Sequence, residues 1–134
     1  MAISKIIEVQ TQGRGLYAIT EDVLKGLKLP ESGMLNLFIQ HTSASLLVQE
    51  NFDPTAKADI EEFFCRLIPD TEKWYSHDAE GPDDSTSHLK AALTPVSLNI
   101  PVVGGRLGLG QWQGIYLFEH RLKPHRRKIV LTLI

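Results

Sequence analysis

The sequence predicts an α+β fold, a strand-rich sandwich of sheets with about three helices, for two reasons. Strand-like segments outnumber helix-like segments, and they do not alternate regularly with helices as the strands of a doubly wound parallel sheet would. The chain has 134 residues, of which 43% are hydrophobic, so it can bury a core without the help of disulfides or structural metals. We therefore expect a single domain over residues 1–134.

The predicted strands are apolar segments bounded by turn-forming residues. In residues 35–40, Leu35, Leu37 and Ile39 share one face, and His41 has the same parity, so it is expected to point into a pocket or the core. Glycines at 104–110 predict a hairpin or bulge. The predicted strands span residues 3–9, 16–19, 35–40, 45–49, 96–102, 115–118 and 129–133.

Three helices are predicted from capping signals and apolar spacing. The first begins at Thr20 and ends before Pro30, and the second begins after Asp53 and ends at Pro69. The third begins at residue 84 or 85 and runs through Leu93. The buried faces predicted for the second and third helices are Ile60, Phe63, Phe64 and Leu67, and Leu89, Ala92 and Leu93.

Composition gives no indication of a membrane or nucleic-acid partner. The net charge is −2, the single cysteine forms no internal disulfide, and no apolar stretch approaches the roughly 20 residues that span a bilayer. The basic tract at 121–128 is expected to be a solvated hairpin, since no aromatic residues for base stacking are interleaved with it. We expect a cytoplasmic protein that binds neither nucleic acid nor membrane.

Two polar segments, residues 40–45 and 75–88, carry the main candidate site. They contain three of the five histidines, His41, His77 and His88, with Asp83 or Asp84 beside two of them. Imidazole and carboxylate groups can bind a metal or move a proton, so these residues are the catalytic and metal-ligand candidates. No local metal motif is present, and the ligands would have to converge from distant segments. His88 is expected in the first turn of its helix, where the dipole disfavours an imidazolium.

Other residues are candidates for substrate binding. Ser43 lies beside His41, Glu50 could face the site, and Trp112 with Gln113 could supply an aromatic wall and an amide that reads a heterocycle. His120 is a candidate fourth histidine. A serine nucleophile is disfavoured because no Gly-x-Ser-x-Gly motif is present.

These residues resemble the YjbQ-like family, also called secondary thiamine-phosphate synthases, over essentially the whole chain. The matching motifs are His41–Ser45, Gln49–Pro54, Tyr75–Asp78, Glu80–Asp84, Ser87–Lys90, Gly105-Arg106, Gly110–Gly114 and Glu119–Arg121. The resemblance implies an α+β sandwich, a homotrimer, and a pocket around His41, His77 and His88 that often holds an ion.

The resemblance also implies weak thiamine-phosphate synthase activity. In that reaction a pyrimidine diphosphate loses pyrophosphate and joins a thiazole phosphate, so a small phosphorylated molecule is the expected partner. Carboxylates such as Asp84 and Glu50 would hold Mg²⁺, and Arg14, Arg106 or the 121–128 tract would clamp phosphate. Histidines suit Zn²⁺ better than Mg²⁺, which leaves the divalent metal open.

Two alternatives use the same residues. One is a metal-dependent hydrolase of a small phosphorylated or cyclic substrate, with metal-activated water as its nucleophile. The other is a non-catalytic, metabolite-binding trimer. The number of acid and base groups gathered in two short segments argues against binding alone.

Overall fold

The computed structural model describes residues 2–134, which form two antiparallel sheets and three helices. The strands are β1 (Ile3–Gln10), β2 (Gly15–Ala18), β3 (Ser32–Ile39), β4 (Ala44–Glu50), β5 (Ser97–Val103), β6 (Arg106–Leu107), β7 (Gln113–Glu119) and β8 (Arg126–Leu133). The helices are α1 (Thr20–Leu24), α2 (Pro54–Leu67) and α3 (Asp84–Leu93). The predicted α+β class is confirmed.

The two sheets meet in one hydrophobic core. The larger sheet has the order β1-β8-β3-β5-β6, and the smaller has the order β2-β7-β4. The predicted alternation in β3 is confirmed, because Leu35, Leu37 and Ile39 are at most 1% exposed. They pack in the same cluster as Leu46 and Leu117 of the smaller sheet. Within the described chain, no helix has both the length and the apolarity needed to cross a membrane.

Helix α2 begins as predicted but buries less than predicted. The Asp53 carboxylate accepts the Thr55 N–H at 2.9 Å and caps the helix. Phe64 packs against the buried cluster of the smaller sheet, whereas Phe63 is 57% exposed and Leu67 is 50% exposed. The prediction of one buried stripe was therefore wrong for Phe63 and Leu67, because only one flank of α2 meets the sheet.

Helix α3 buries its polar face, opposite to the prediction. Leu93 is 61% exposed, whereas Asp84 and Lys90 are each 1% exposed. The buried polar groups are stabilised by local bonds: the Thr86 hydroxyl donates to the Ile68 carbonyl at 2.8 Å, and the Ser87 hydroxyl donates to a backbone carbonyl. This orientation turns Asp84 inward and brings His88 to the wall of a pocket.

Candidate metal centre

Three side chains place metal-binding atoms together. His77 comes from the loop between α2 and α3, while Asp84 and His88 lie one turn apart on α3. Asp84 Oδ2 is 2.5 Å from His77 Nε2, and Asp84 Oδ1 is 3.3 Å from His88 Nε2. One ligand atom from each residue lies within 4.8 Å of the others. We call these three residues the metal cluster.

The tautomer of His88 is set by the backbone. His88 Nδ1 lies 2.8 Å from the carbonyl oxygen of Thr42, which can only accept a hydrogen bond. The ring proton of a neutral His88 must therefore be on Nδ1, and Nε2 keeps its lone pair facing Asp84. A carbonyl that orients a histidine in this way is typical of the outer shell of metal sites. Because α3 begins at Asp84, His88 lies in its second turn, not in the first as predicted.

The Asp84 carboxylate has one satisfied and one unsatisfied oxygen. Oδ1 accepts from the Arg121 guanidinium at 2.5 Å. Oδ2 is buried and has no hydrogen-bond partner, although His77 Nε2 is adjacent. An unpaired buried carboxylate oxygen is costly. His77 Nε2 lies beside Oδ2 and His88 Nε2 lies beside Oδ1, and two imidazoles with one carboxylate are a donor set that suits a divalent transition metal.

Asp83 has a different role from its neighbour. One of its oxygens accepts from Arg121 Nε at 3.0 Å and from the backbone N–H of Leu122 at 2.8 Å. Burial raises the pKa of Asp83, but these hydrogen bonds and the Arg121 charge outweigh burial, and the net shift is downward. Asp83 thus holds Arg121 in place, and Asp84 is the carboxylate that faces the histidines.

His41 lines the same pocket but lies outside the metal cluster. Its Nε2 accepts the backbone N–H of Lys128 at 2.8 Å, and its Nδ1 is 3.3 Å from a nitrogen of Arg127. Burial and the Arg127 charge lower the pKa of His41, so it is neutral at pH 7. The backbone donor occupies the Nε2 lone pair of His41, so this nitrogen is not free to bind a metal, contrary to the prediction.

The metal cluster opens on a pocket of about 750 Å³. The imidazoles of His41, His77 and His88 form part of its wall, and the C-terminal half of α3 forms another part. This volume lies within the usual range for small-molecule sites.

A second group of polar residues lies beneath this surface. It comprises Ser45, Glu119, His120 and Arg127, with Thr94 at its border with the pocket, and we call it the sealed cluster. Glu119 and Arg127 form a buried ion pair, and Ser45 Oγ is 3.0 Å from His120 Nε2. Burial, followed by nearby positive charges such as Lys90, lowers the pKa of His120 to about 3. Ser45 and His120 are both 0% exposed, so this pair is out of reach of a substrate.

The predicted substrate-binding residues do not gather at the pocket. The Ser43 hydroxyl accepts from Arg127, and Glu50 lies at the opposite end of β4 from Ala44, about 20 Å away at the usual rise per strand residue. Trp112 packs edge-on against Phe52, the Gln113 side chain accepts from the Gly110 N–H, and Arg106 belongs to the two-residue strand β6.

Sequence reasoning missed the group that holds the metal cluster together. Arg121 bridges Asp83 and Asp84 from the far end of the chain, whereas the sequence analysis assigned it to a solvated basic tract or, through the resemblance, to phosphate binding. The spacing of Asp84 and His88, four residues apart on a helix, was a signal that could have paired them in advance.

The fold and site define a class of proteins: two-sheet α+β proteins with a His-Asp-His cluster at the mouth of a pocket. The family model described as "UPF0047 protein YjbQ-like" matches residues 5–134, and the chain belongs to this family. The resemblance stated from the sequence motifs is confirmed.

Relatives and solved structures agree with this assignment. The chain is 46% identical to the UPF0047 protein YjbQ of Salmonella typhimurium, covering 99% of this chain and 98% of the relative. It is 42% identical to a UPF0047 protein of Synechocystis, covering 95% and 88%. A conserved hypothetical protein from Thermus thermophilus has a TM-score of 0.85 at 36% identity, covering 94% of this chain and 97% of that one.

The prediction of thiamine-phosphate synthase activity was wrong. The matched relatives carry only the UPF0047 family name, and a matched structure from Sulfolobus solfataricus is described as being of unknown function. The site also lacks the machinery that this reaction needs. Glu50 lies at the end of β4 opposite the pocket-lining Ala44, Arg14 is paired with Asp70, and Arg121 is paired with both Asp83 and Asp84. No arginine or lysine lines the pocket in residues 2–134 to clamp a diphosphate.

Proposed function

We propose that this protein binds a divalent transition metal through His77, Asp84 and His88 and presents its open coordination positions to a small molecule in the adjacent pocket. The observation that carries this proposal is the Asp84 carboxylate between two imidazoles: the buried Oδ2, which has no hydrogen bond of normal geometry, lies 2.5 Å from His77 Nε2, and Oδ1 lies 3.3 Å from His88 Nε2. The free lone pair of His88 Nε2 supports it. Two imidazoles and one carboxylate favour Zn²⁺ or a neighbouring transition metal over Mg²⁺.

Three protein ligands leave coordination positions for water or a substrate. When bound, such an ion polarises an oxygen of the ligand or lowers the pKa of a bound water. The residues around it have defined tasks. Thr42 fixes the orientation of His88 through its carbonyl, and Arg121 holds Asp84 through Oδ1. The exposed position of His77 leaves the cluster open toward the pocket.

Isothermal titration calorimetry with Zn²⁺ tests the proposal. We expect about one Zn²⁺ site per chain. In His77→Ala and His88→Ala the Zn²⁺ affinity should fall by more than the ~10–100-fold that follows removal of an outer-shell partner. His125→Ala is the matched control, because that imidazole contacts the Lys123 carbonyl outside the cluster. Unchanged Zn²⁺ affinity in His88→Ala would contradict the proposal.

We also infer that the protein self-associates, and the homotrimer expected from the family resemblance is the assembly we propose. The outer face of the larger sheet supports this. Ile6, Val130 and Phe38 form an apolar cross-strand row on it. A neighbouring row consists of Ser4, Thr132, Asn36 and Asn99. Neither row carries a formal charge, so a second copy can pack there without placing like charges together.

Sedimentation of Phe38→Glu tests this surface. Phe38 is 45% exposed, and a charge there should dissociate the assembly. Phe63→Glu is the control, because Phe63 is 57% exposed on α2, away from this sheet face. A monomeric parent protein would contradict self-association.

A further inference from the structure

The wall of the pocket beside the metal cluster combines polar and aliphatic side chains. The polar side chains in the wall are His77 and His88 of the metal cluster, together with His41, Thr42, Ser85 and Thr94. The rest of the wall includes five aliphatic side chains, which offer no hydrogen bonds: Ala44, Leu89, Ala91, Ala92 and Val96. A ligand that fills the pocket must therefore combine a metal-binding head with an apolar body.

The charges around the metal cluster define the charge of that head. Asp83 and Asp84 contribute two negative charges, and Arg121 contributes one positive charge. With a divalent ion and neutral imidazoles, the site carries one net positive charge. A single carboxylate or hydroxide balances this charge.

A ligand with several negative charges would find no additional positive side chains in the pocket to balance them. No lysine or arginine lines the pocket in the described chain, residues 2–134. The Arg121 guanidinium is held by Asp83 and Asp84, and the Arg127 guanidinium is held by Glu119. A diphosphate would bring several negative charges to a site that offers one net positive charge.

We propose that the pocket takes a small organic monoanion with an apolar body, of the class of medium-chain or aryl carboxylates. Its anionic oxygen occupies the open side of the metal, and its body lies along Leu89, Ala92 and Val96. This inference rests on the proposed metal site. The volume of about 750 Å³ accommodates a molecule much larger than acetate.

The test uses Co²⁺ as a visible probe of the metal site in the full chain. Co²⁺ is titrated first, and its visible absorption reports occupancy. The Co²⁺ protein is then titrated with acetate, butyrate, hexanoate and pyrophosphate. We expect affinity to rise by up to about fourfold for each methylene that is fully buried. Hexanoate should bind at least about tenfold more tightly than acetate. Pyrophosphate should bind no more tightly than acetate as long as the Co²⁺ ion stays on the protein.

A charge placed on the aliphatic part of the wall sharpens the test. Ala92→Glu adds a carboxylate at a position that lines the pocket and is exposed, so folding is preserved. It should remove the preference for hexanoate while leaving Co²⁺ binding intact. Leu93→Glu is the matched control: it makes the same charge change one residue further on, at a 61% exposed side chain that does not line this pocket.

The outcomes separate this inference from the proposed function. If the parent protein does not bind Co²⁺, both the proposed metal site and this inference are wrong. Normal Co²⁺ binding with equal affinities for acetate and hexanoate overturns the inference alone. Tighter binding of pyrophosphate than of hexanoate to the Co²⁺ protein also overturns the inference. An equal loss of hexanoate affinity in Ala92→Glu and Leu93→Glu would contradict the assignment of the apolar body to the wall that includes Ala92.

Discussion

The metal cluster and the sealed cluster use the same kinds of residue but differ in what their polar atoms face. In the sealed cluster, Glu119 is 0% exposed and accepts from Thr11 and Arg127. In the metal cluster, Asp84 is equally buried, yet one of its oxygens has no hydrogen bond and adjoins an exposed imidazole. The sealed cluster also holds a buried atom without a hydrogen-bond partner, Nδ1 of His120, so neither burial nor a missing partner indicates function by itself. An unsatisfied atom beside an open pocket does.

The largest expected effect comes from breaking the buried pair in the sealed cluster. Glu119→Ala leaves the Arg127 guanidinium buried without its partner, which should lower the free energy of unfolding by about 3–5 kcal/mol. Denaturant titration measures this. Glu8→Ala removes the exposed ion pair between Glu8 and Arg126 and should lower the free energy of unfolding by less than about 1 kcal/mol. Similar losses in the two variants would contradict a structural role for the sealed cluster.

A pH series sharpens the comparison through His120. Its pKa is about 3 in the folded protein, against 6.5 as the ordinary value. Between these values the unfolded chain binds a proton that the folded chain does not. The free energy of unfolding should therefore rise with pH by up to about 1.4 kcal/mol per unit across this window and level off above it.

The variant His120→Gln isolates that contribution. Its unfolding free energy should depend less steeply on pH between 4 and 6.5, with a residual slope from His41, whose pKa is also lowered. Denaturation midpoints at several pH values measure the difference. Identical slopes in the parent and the variant would show that His120 is not held neutral by burial.

The smallest effect is expected on the buried face of α3, outside both clusters. Thr86→Val removes the hydrogen bond from the Thr86 hydroxyl to the Ile68 carbonyl and should lower the free energy of unfolding by about 1 kcal/mol. Thermal denaturation measures this loss. Zn²⁺ affinity should stay unchanged, because Thr86 lies outside the metal cluster. A gain in stability would contradict the account of why α3 buries its polar face.

The strands were predictable because their signal is local. The alternation of Leu35, Leu37 and Ile39 sets which face is buried, whatever the partner strand. Helix α3 was misjudged because its leucines suggested an apolar buried face, whereas Thr86 finds an acceptor, the Ile68 carbonyl, that only the folded chain supplies, and Ser87 bonds the Asp83 carbonyl one turn back. Sequence patterns do not show where such acceptors lie.

The candidate site was predictable in its residue types more than in its geometry. Asp84 and His88 share a helix, so their proximity follows from spacing. His77 arrives through an irregular loop, and Arg121 closes the site across 37 residues from Asp84. Neither contact has a local signal. Glu50 and Gln113 were grouped with the site, although they pair with each other at the opposite end of β4.

The most direct test of the central claim is the metal content of the purified protein after incubation with equimolar Mg²⁺, Mn²⁺, Fe²⁺ and Zn²⁺ and removal of free ions. Elemental analysis compares it with the double variant His77→Ala/His88→Ala. The account predicts about one transition-metal ion per chain in the parent protein, little Mg²⁺, and no retained metal in the variant. A parent protein that retains no metal, or a variant that retains as much as the parent, would contradict it.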